Sequence, residues 1–164
     1  PGTHPKGAYF TRGSGHNKMA GYTEDAAEYT EVVDRIARKI NSAAKAVPAP
    51  VTSGSGTNRF GILTVGGCHA ACVEAIDTLA AEGIHVDFMR VRGFPFGDEV
   101  KAFLEQHDVT FVVEQNRDGQ LRNLLTLETS VPMAKMESVR YYGGFPMSAH
   151  HVLAGIRARL EKVA

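Results

Sequence analysis

The run Val109, Thr110, Phe111, Val112 and Val113, followed at once by Glu114, Gln115, Asn116, Arg117, Asp118, Gly119 and Gln120, constrains this chain most. A strand with one wet face alternates apolar and polar residues. An unbroken apolar run instead suits a strand covered on both faces, as in a parallel sheet. In such sheets ligands and partners meet the carboxyl ends of the strands, so the polar segment after Val113 is the first place to look for function.

The surrounding pattern agrees. Residues 60–65 read as a buried strand, Gly66 and Gly67 as a turn, and 70–82 as a helix stopped by Gly83. Strand 84–91, a loop through Gly93, Phe94, Pro95, Phe96 and Gly97, a helix 99–107 capped by Asp98, and strand 109–113 follow. Helix 119–127, strand 138–142 and a last helix from Ala149, capped by Ser148, complete the alternation. Residues 133–136 read as a short edge strand. The expected fold is therefore α/β, three-layered, with a mostly parallel five-stranded sheet and helices on both faces, joined by right-handed crossovers.

Ahead of this lies a different kind of sequence. Residues 1–22 are glycine-rich, begin without methionine and show no helix or strand period, so they read as the tail of something upstream. Thr23 is placed to cap a helix of about 20 residues, with Glu24 and Asp25 at its positive end and Tyr29, Val32, Val33, Ile36, Ile40 and Ala43 in one apolar stripe. Pro48 and Pro50 end it, and 52–57 (Thr, Ser, Gly, Ser, Gly, Thr) read as a flexible connection. The expected organisation is 1–22 as a loop-rich lead, 23–57 as connecting helix and linker, and 58–164 as the α/β domain.

Composition narrows the function classes. Lys plus Arg equals Asp plus Glu at 18 each, which removes any global electrostatic case for a nucleic-acid or anionic-membrane partner. No apolar stretch approaches a membrane span, and a cytoplasmic protein is the expectation. Cys68 and Cys72 suit neither a disulfide framework nor a four-ligand zinc site. The adjacent His150 and His151 point about 100° apart on a helix, so no metal site is expected.

Two constellations remain, each with two readings. Gly66, Gly67 and Cys68 stand where a strand feeds a helix, a place for a tight turn or for an anion such as phosphate on free amides. Cys68 there is either a packing residue or a thiol activated by the helix end. Glu114, Asn116 and Gln120 follow the buried strand. Partial burial would raise the Glu114 pKa and suit proton handling or an interface; alternatively Glu114 and Asn116 cap the next helix and hold its loop closed.

Several longer words carry a family resemblance. They are Pro1-Gly2-Thr3-His4-Pro5-Lys6-Gly7-Ala8-Tyr9-Phe10-Thr11-Arg12-Gly13, Gly15-His16-Asn17, Tyr22-Thr23-Glu24, Arg90-Val91-Arg92 with Phe94-Pro95-Phe96, Val113 to Gln120, and Tyr141-Tyr142-Gly143-Gly144 with Pro146. Together they resemble the alpha subunit of 2-oxoacid:ferredoxin oxidoreductases, above all the 2-oxoglutarate type, over essentially the whole chain. The resemblance implies a C-terminal fragment: 1–22 as the end of a pyrimidine-binding domain and 58–164 as a transketolase C-terminal-like domain. It implies an enzyme complex that makes acyl-CoA and CO2 with thiamine diphosphate, Mg2+ and an iron-sulfur cluster, none of them bound by this fragment. The implied partners are the beta subunit and, through the complex, ferredoxin and coenzyme A. The Tyr-Pro-Ile-Thr-Pro and Gly-Asp-Gly words of the family are absent, so the fragment alone is expected to be inactive, with no catalytic residue of its own. Arg12 and His16 are expected nearest the assembled active site, and Glu114, Asn116 and Gln120 at a domain or subunit contact. The alternative is a stand-alone phosphate- or CoA-binding α/β module using Gly66, Gly67 and Cys68.

Overall fold

A computed structural model describes residues 3–7 and 13–161, which form two compact units, 1–46 and 47–164. In the first, a single 3-10 turn (Pro5–Gly7) and a loop closed by a bridge between His16 and Tyr22 lead into α1 (Ala26–Ala43). Asp25, not Thr23, caps α1. Its Oδ1 accepts the Ala27 and Glu28 amides, both at 2.9 Å, while the Thr23 hydroxyl accepts the Asp25 amide one step earlier. A carboxylate that reaches two free amides satisfies more of the helix start than the hydroxyl can.

The second unit is a five-stranded sheet in the order β1-β3-β2-β4-β5, where β1 is Val51–Ser53, β2 Phe60–Val65, β3 Val86–Val91, β4 Val109–Glu114 and β5 Met136–Arg140. β2 to β5 are parallel; β1 runs antiparallel along β3. The helices are α2 (His69–Ala81), α3 (Asp98–Gln106), α4 (Gln120–Thr129) and α5 (Ala149–Leu160). The chain steps from β2 to β3 in one direction and returns past β2 to β4, so right-handed crossovers must put α2 on one face and α3 on the other. The packing follows this rule. Ile62, Phe88, Phe111 and Val113 pack with α2 and α5; Leu63, Met89 and Val112 pack with α3 and α4. Successive residues of the same strands serve opposite cores, which is why β4 carries no alternation in its sequence.

Two expectations are corrected. The start of the 52–57 connection is the end of β1, and 133–136 is not an edge strand: Met133–Lys135 is a 3-10 turn that feeds β5, which starts two residues before the expected 138. The fifth strand thus comes from before the βα repeats. Val51 and Thr52 are β-branched and suit a strand, but three residues cannot form one alone; the β3 edge pairs with them, and Asp87 holds the Gly56 and Asn58 amides that follow.

Close approach of helices to the sheet explains two glycines. A Cβ at Gly61 would lie 2.9 Å from the Phe103 ring and 3.0 Å from His107 Nδ1, and one at Gly155 would lie 2.8 Å from Val139 Cγ1. Gly61→Ala is expected to destabilise the fold by about 1–3 kcal/mol through overpacking, read as a lower urea midpoint at unchanged slope.

Candidate functional site

The strand order creates a switch point. β2 lies between β3, which follows it through α2, and β4, to which the chain returns, so connections diverge above the carboxyl ends of β2 and β4. Both constellations singled out from the sequence arrive there. After β2, Gly66 takes φ +64° and starts a 3-10 turn (Gly66–Cys68) that runs into α2 with no side-chain cap. After β4 comes the loop from Glu114 to α4. Gln115 joins the two: its Oε1 lies 3.9 Å from Cys68 Sγ, and its Nε2 donates to the Phe145 carbonyl at 3.0 Å, drawing in the loop after β5. Sequence reasoning passed over Gln115; its one signal was its position as the first residue beyond a buried strand.

Glu114 is buried to 1% exposure. Its Oε2 accepts the Leu121 amide at 2.7 Å and the Asn116 side-chain amide, and its Oε1 accepts the Arg122 amide at 3.2 Å. Asn116 Oδ1 accepts the Asp118 and Gln120 amides at 3.0 and 3.1 Å. Gly119 supplies the left-handed turn, φ +66°, that brings the chain back for this. Glu114 and Asn116 therefore cap α4 and close its loop, the second of the two readings open from the sequence. The side chain of Gln120 remains exposed.

The cysteines are held by packing. Cys68 and Cys72 are free and buried. Burial pushes the Cys68 thiol up, and burial with the neighbouring Cys68 pushes Cys72 up to about 12. A raised thiol pKa is the opposite of nucleophile activation, which corrects the activated-thiol reading of Cys68. Both are expected to resist iodoacetamide at pH 7.5 and to react at once in urea, as read by intact mass.

His16 lies in the 1–46 unit, where its Nδ1 donates to the Asn17 carbonyl at 3.0 Å; Arg12 falls outside the described residues. Among the described residues no group of three or more His, Cys, Asp or Glu is placed to hold a metal, and no helix is long and apolar enough to cross a membrane.

One polar cluster was missed altogether. Asp87, in β3, and His107, after α3, are buried to 2% and 1% exposure. His107 Nε2 lies 3.1 Å from Asp87 Oδ2, and its Nδ1 donates to the Phe103 carbonyl at 2.6 Å. Asp87 also accepts the Gly56 and Asn58 amides and the Asn58 side chain at 2.8–3.1 Å. Burial alone would raise the Asp87 pKa, but the bonds from Gly56, His107 and Asn58 outweigh it and hold the carboxyl below its ordinary value. The cluster edges a cleft of about 500 Å³ between β1, β3 and α3, lined in part by Ser53, Met89, Glu99 and Phe103. No residue chosen from the sequence lines it. The only hint was an acid at the second position of a mostly apolar strand.

No family model matches the chain. Over 151 residues it is 27% identical to 2-oxoacid:ferredoxin oxidoreductase 2, subunit alpha, of Aeropyrum pernix, covering 89% of this chain and 23% of that one. A solved 2-oxoglutarate:ferredoxin oxidoreductase from Magnetococcus marinus, with 2-oxoglutarate, coenzyme A and succinyl-CoA bound, superposes on 98% of this chain and 28% of its own, with TM-score 0.79 and 24% identity. A split-gene transketolase, an inactive beta4 tetramer, matches 68% of this chain and 42% of its own, with TM-score 0.56 and 19% identity. The chain thus spans about a quarter of the length of the oxidoreductases it matches, and it shares their fold and that of transketolase.

Proposed function

We propose that this chain is the C-terminal part of the alpha subunit of a thiamine-diphosphate-dependent 2-oxoacid:ferredoxin oxidoreductase of the 2-oxoglutarate type, acting in the cytoplasm. The observation that carries the reading is the agreement of a sequence alignment over 89% of the chain with a superposition over 98% of it, both on enzymes of this name. On this reading 1–22 end a pyrimidine-binding domain, 23–57 connect, and 58–164 form a transketolase C-terminal-like domain. The parent complex makes acyl-CoA and CO2 from a 2-oxoacid and coenzyme A and passes electrons to ferredoxin.

Thiamine diphosphate, Mg2+ and the iron-sulfur cluster supply the carbon and electron chemistry there, and the beta subunit carries the diphosphate site and the cluster. The described residues of this chain fit the role of a scaffold. Their two thiols are buried with raised pKa, a poor match for cluster ligands, and the polar atoms of Glu114 and Asn116 are committed to one loop. Arg12 and His16 are assigned nearest to the assembled active site. Gln120, presented by the Glu114 cap, is assigned to the contact with a neighbouring domain or subunit.

The test is reconstitution. The complete alpha subunit with its beta subunit is expected to reduce ferredoxin with 2-oxoglutarate and coenzyme A, and this chain alone to be inert. Gln120→Ala, which leaves the cap intact, is expected to weaken co-purification of the partner; unchanged assembly and turnover would remove the contact role. Coenzyme A or phosphate binding to the isolated chain, seen as amide shifts at Gly66, Gly67 and Cys68, would favour the stand-alone binding module, which the switch-point position of that turn supports.

A further inference from the structure

Two buried nitrogens on the α2 side of the sheet have no partner. Arg90 Nε and His69 Nδ1 are shut off from solvent, and neither makes a hydrogen bond among the described residues. They belong to one place. The His69 ring, in the first turn of α2, lies on the Phe88 ring of β3 with centroids 5.6 Å apart. Arg90 stands two positions beyond Phe88 on the same strand, so its side chain leaves the same face, next to Thr64 of β2. Thr64 is already engaged, since its hydroxyl donates to the Val113 carbonyl at 2.8 Å.

A guanidinium cannot give up its charge to relieve burial, and a buried donor on a cation costs free energy until an acceptor meets it. No carboxylate of this chain does so. Arg90 enters no ion pair among the described residues. Asp87 lies on the opposite face of β3, where Gly56, Asn58 and His107 take its oxygens. The first turn of α2 carries no acid, and no side chain caps its start.

We propose that Arg90 and His69 hold a phosphate group, free or as a monoester, at the carboxyl ends of β2 and β3. Arg90 offers Nε–H and a neighbouring terminal N–H side by side, the fork that matches two oxygens of one oxyanion. The imidazole can carry its proton on Nδ1 and donate it to a third oxygen. A carboxylate has two oxygens; a phosphate has enough for all three donors. The positive end of the α2 dipole favours the same charge. The scaffold reading gives Arg90 and His69 no role, and the inference depends neither on that reading nor on the amides of Gly66 and Gly67.

The test is a titration of the 164-residue chain, labelled with 15N, with sodium phosphate, following the Arg90 Nε–H and His69 ring signals. Saturable shifts of both are expected, and sodium acetate at equal ionic strength should produce neither. Phenyl phosphate separates the two sources: binding tighter than inorganic phosphate assigns the site to a monoester, and weaker binding assigns it to the free ion. Arg90→Lys keeps the charge and loses the fork, while His69→Phe keeps a ring on Phe88 and loses Nδ1. Each should keep the far-UV spectrum and bind phosphate about tenfold or more weakly. Shifts that never saturate overturn the proposal. So does acetate that binds as tightly as phosphate, or phosphate binding undiminished in both variants, which would leave the amides of the Gly66 turn as its only ligands.

Discussion

Asp87→Ala is expected to lower the stability of the 47–164 unit by about 3 kcal/mol, because it strands a buried histidine rather than merely deleting a contact. His107 Nε2 would lose its carboxylate partner in a place that water does not reach, and the Gly56 and Asn58 amides would lose their acceptor. The loss should appear in urea denaturation as a lower midpoint. Early hydrogen exchange in 51–58 should accompany it, since β1 rests on β3 beside this carboxylate. Replacing His107 as well, by leucine, is expected to recover part of the loss, since that removes the stranded imidazole.

The same residue sets a pH dependence whose sign is determined. Its pKa is lower folded than unfolded, where the ordinary value is 3.8, so the unfolded chain binds the proton more readily. The stabilisation is fully present above that value and is lost as pH falls from it through the folded value. Wild type should therefore lose stability with acid more steeply than Asp87→Ala, a difference readable from urea midpoints between pH 5 and pH 2.5.

Glu114→Ala is expected to be the second large change, about 2–3 kcal/mol, by leaving the Leu121 and Arg122 amides and the Asn116 side chain without their acceptor. Glu114→Gln keeps one oxygen and should lose about 1 kcal/mol. Both should raise hydrogen exchange in the first turn of α4 while leaving β4, which pairs on both sides, protected. A carboxylate that acted only at a contact surface would show neither effect in the isolated chain.

Much of the sheet could be read directly from the residues. The β-branched run of β4, the glycine stops after α2 and before α4, and the Ser148 cap of α5, whose His151 closes a capping box, are local signals that survive in the fold. β1 could not be read in this way, because Thr52 and Ser53 pair with Met89 and Phe88 of a strand more than 30 residues away. For the site, the carboxyl end of β4 was legible as a place, and capping was one of two readings of Glu114. Only the path of the chain through Gly119 decided between them. Gln115 and the Asp87–His107 pair were invisible for one shared reason: each derives its role from partners 20 to 47 residues distant.

What the residues determined by themselves was periodicity: which segments are strands buried on both faces, where helices begin and end, and hence an α/β sheet with right-handed crossovers. Backbone sterics, hydrogen-bond satisfaction at helix ends and apolar spacing act over a few residues, so a single stretch of chain records them. The tertiary structure decided which polar atoms meet. It drew the three residues at the start of a linker into an edge strand, buried a carboxylate beside an imidazole and closed a loop over Glu114. Those choices depend on desolvation and on partners far apart in the chain, quantities that exist only once the sheet has brought them together.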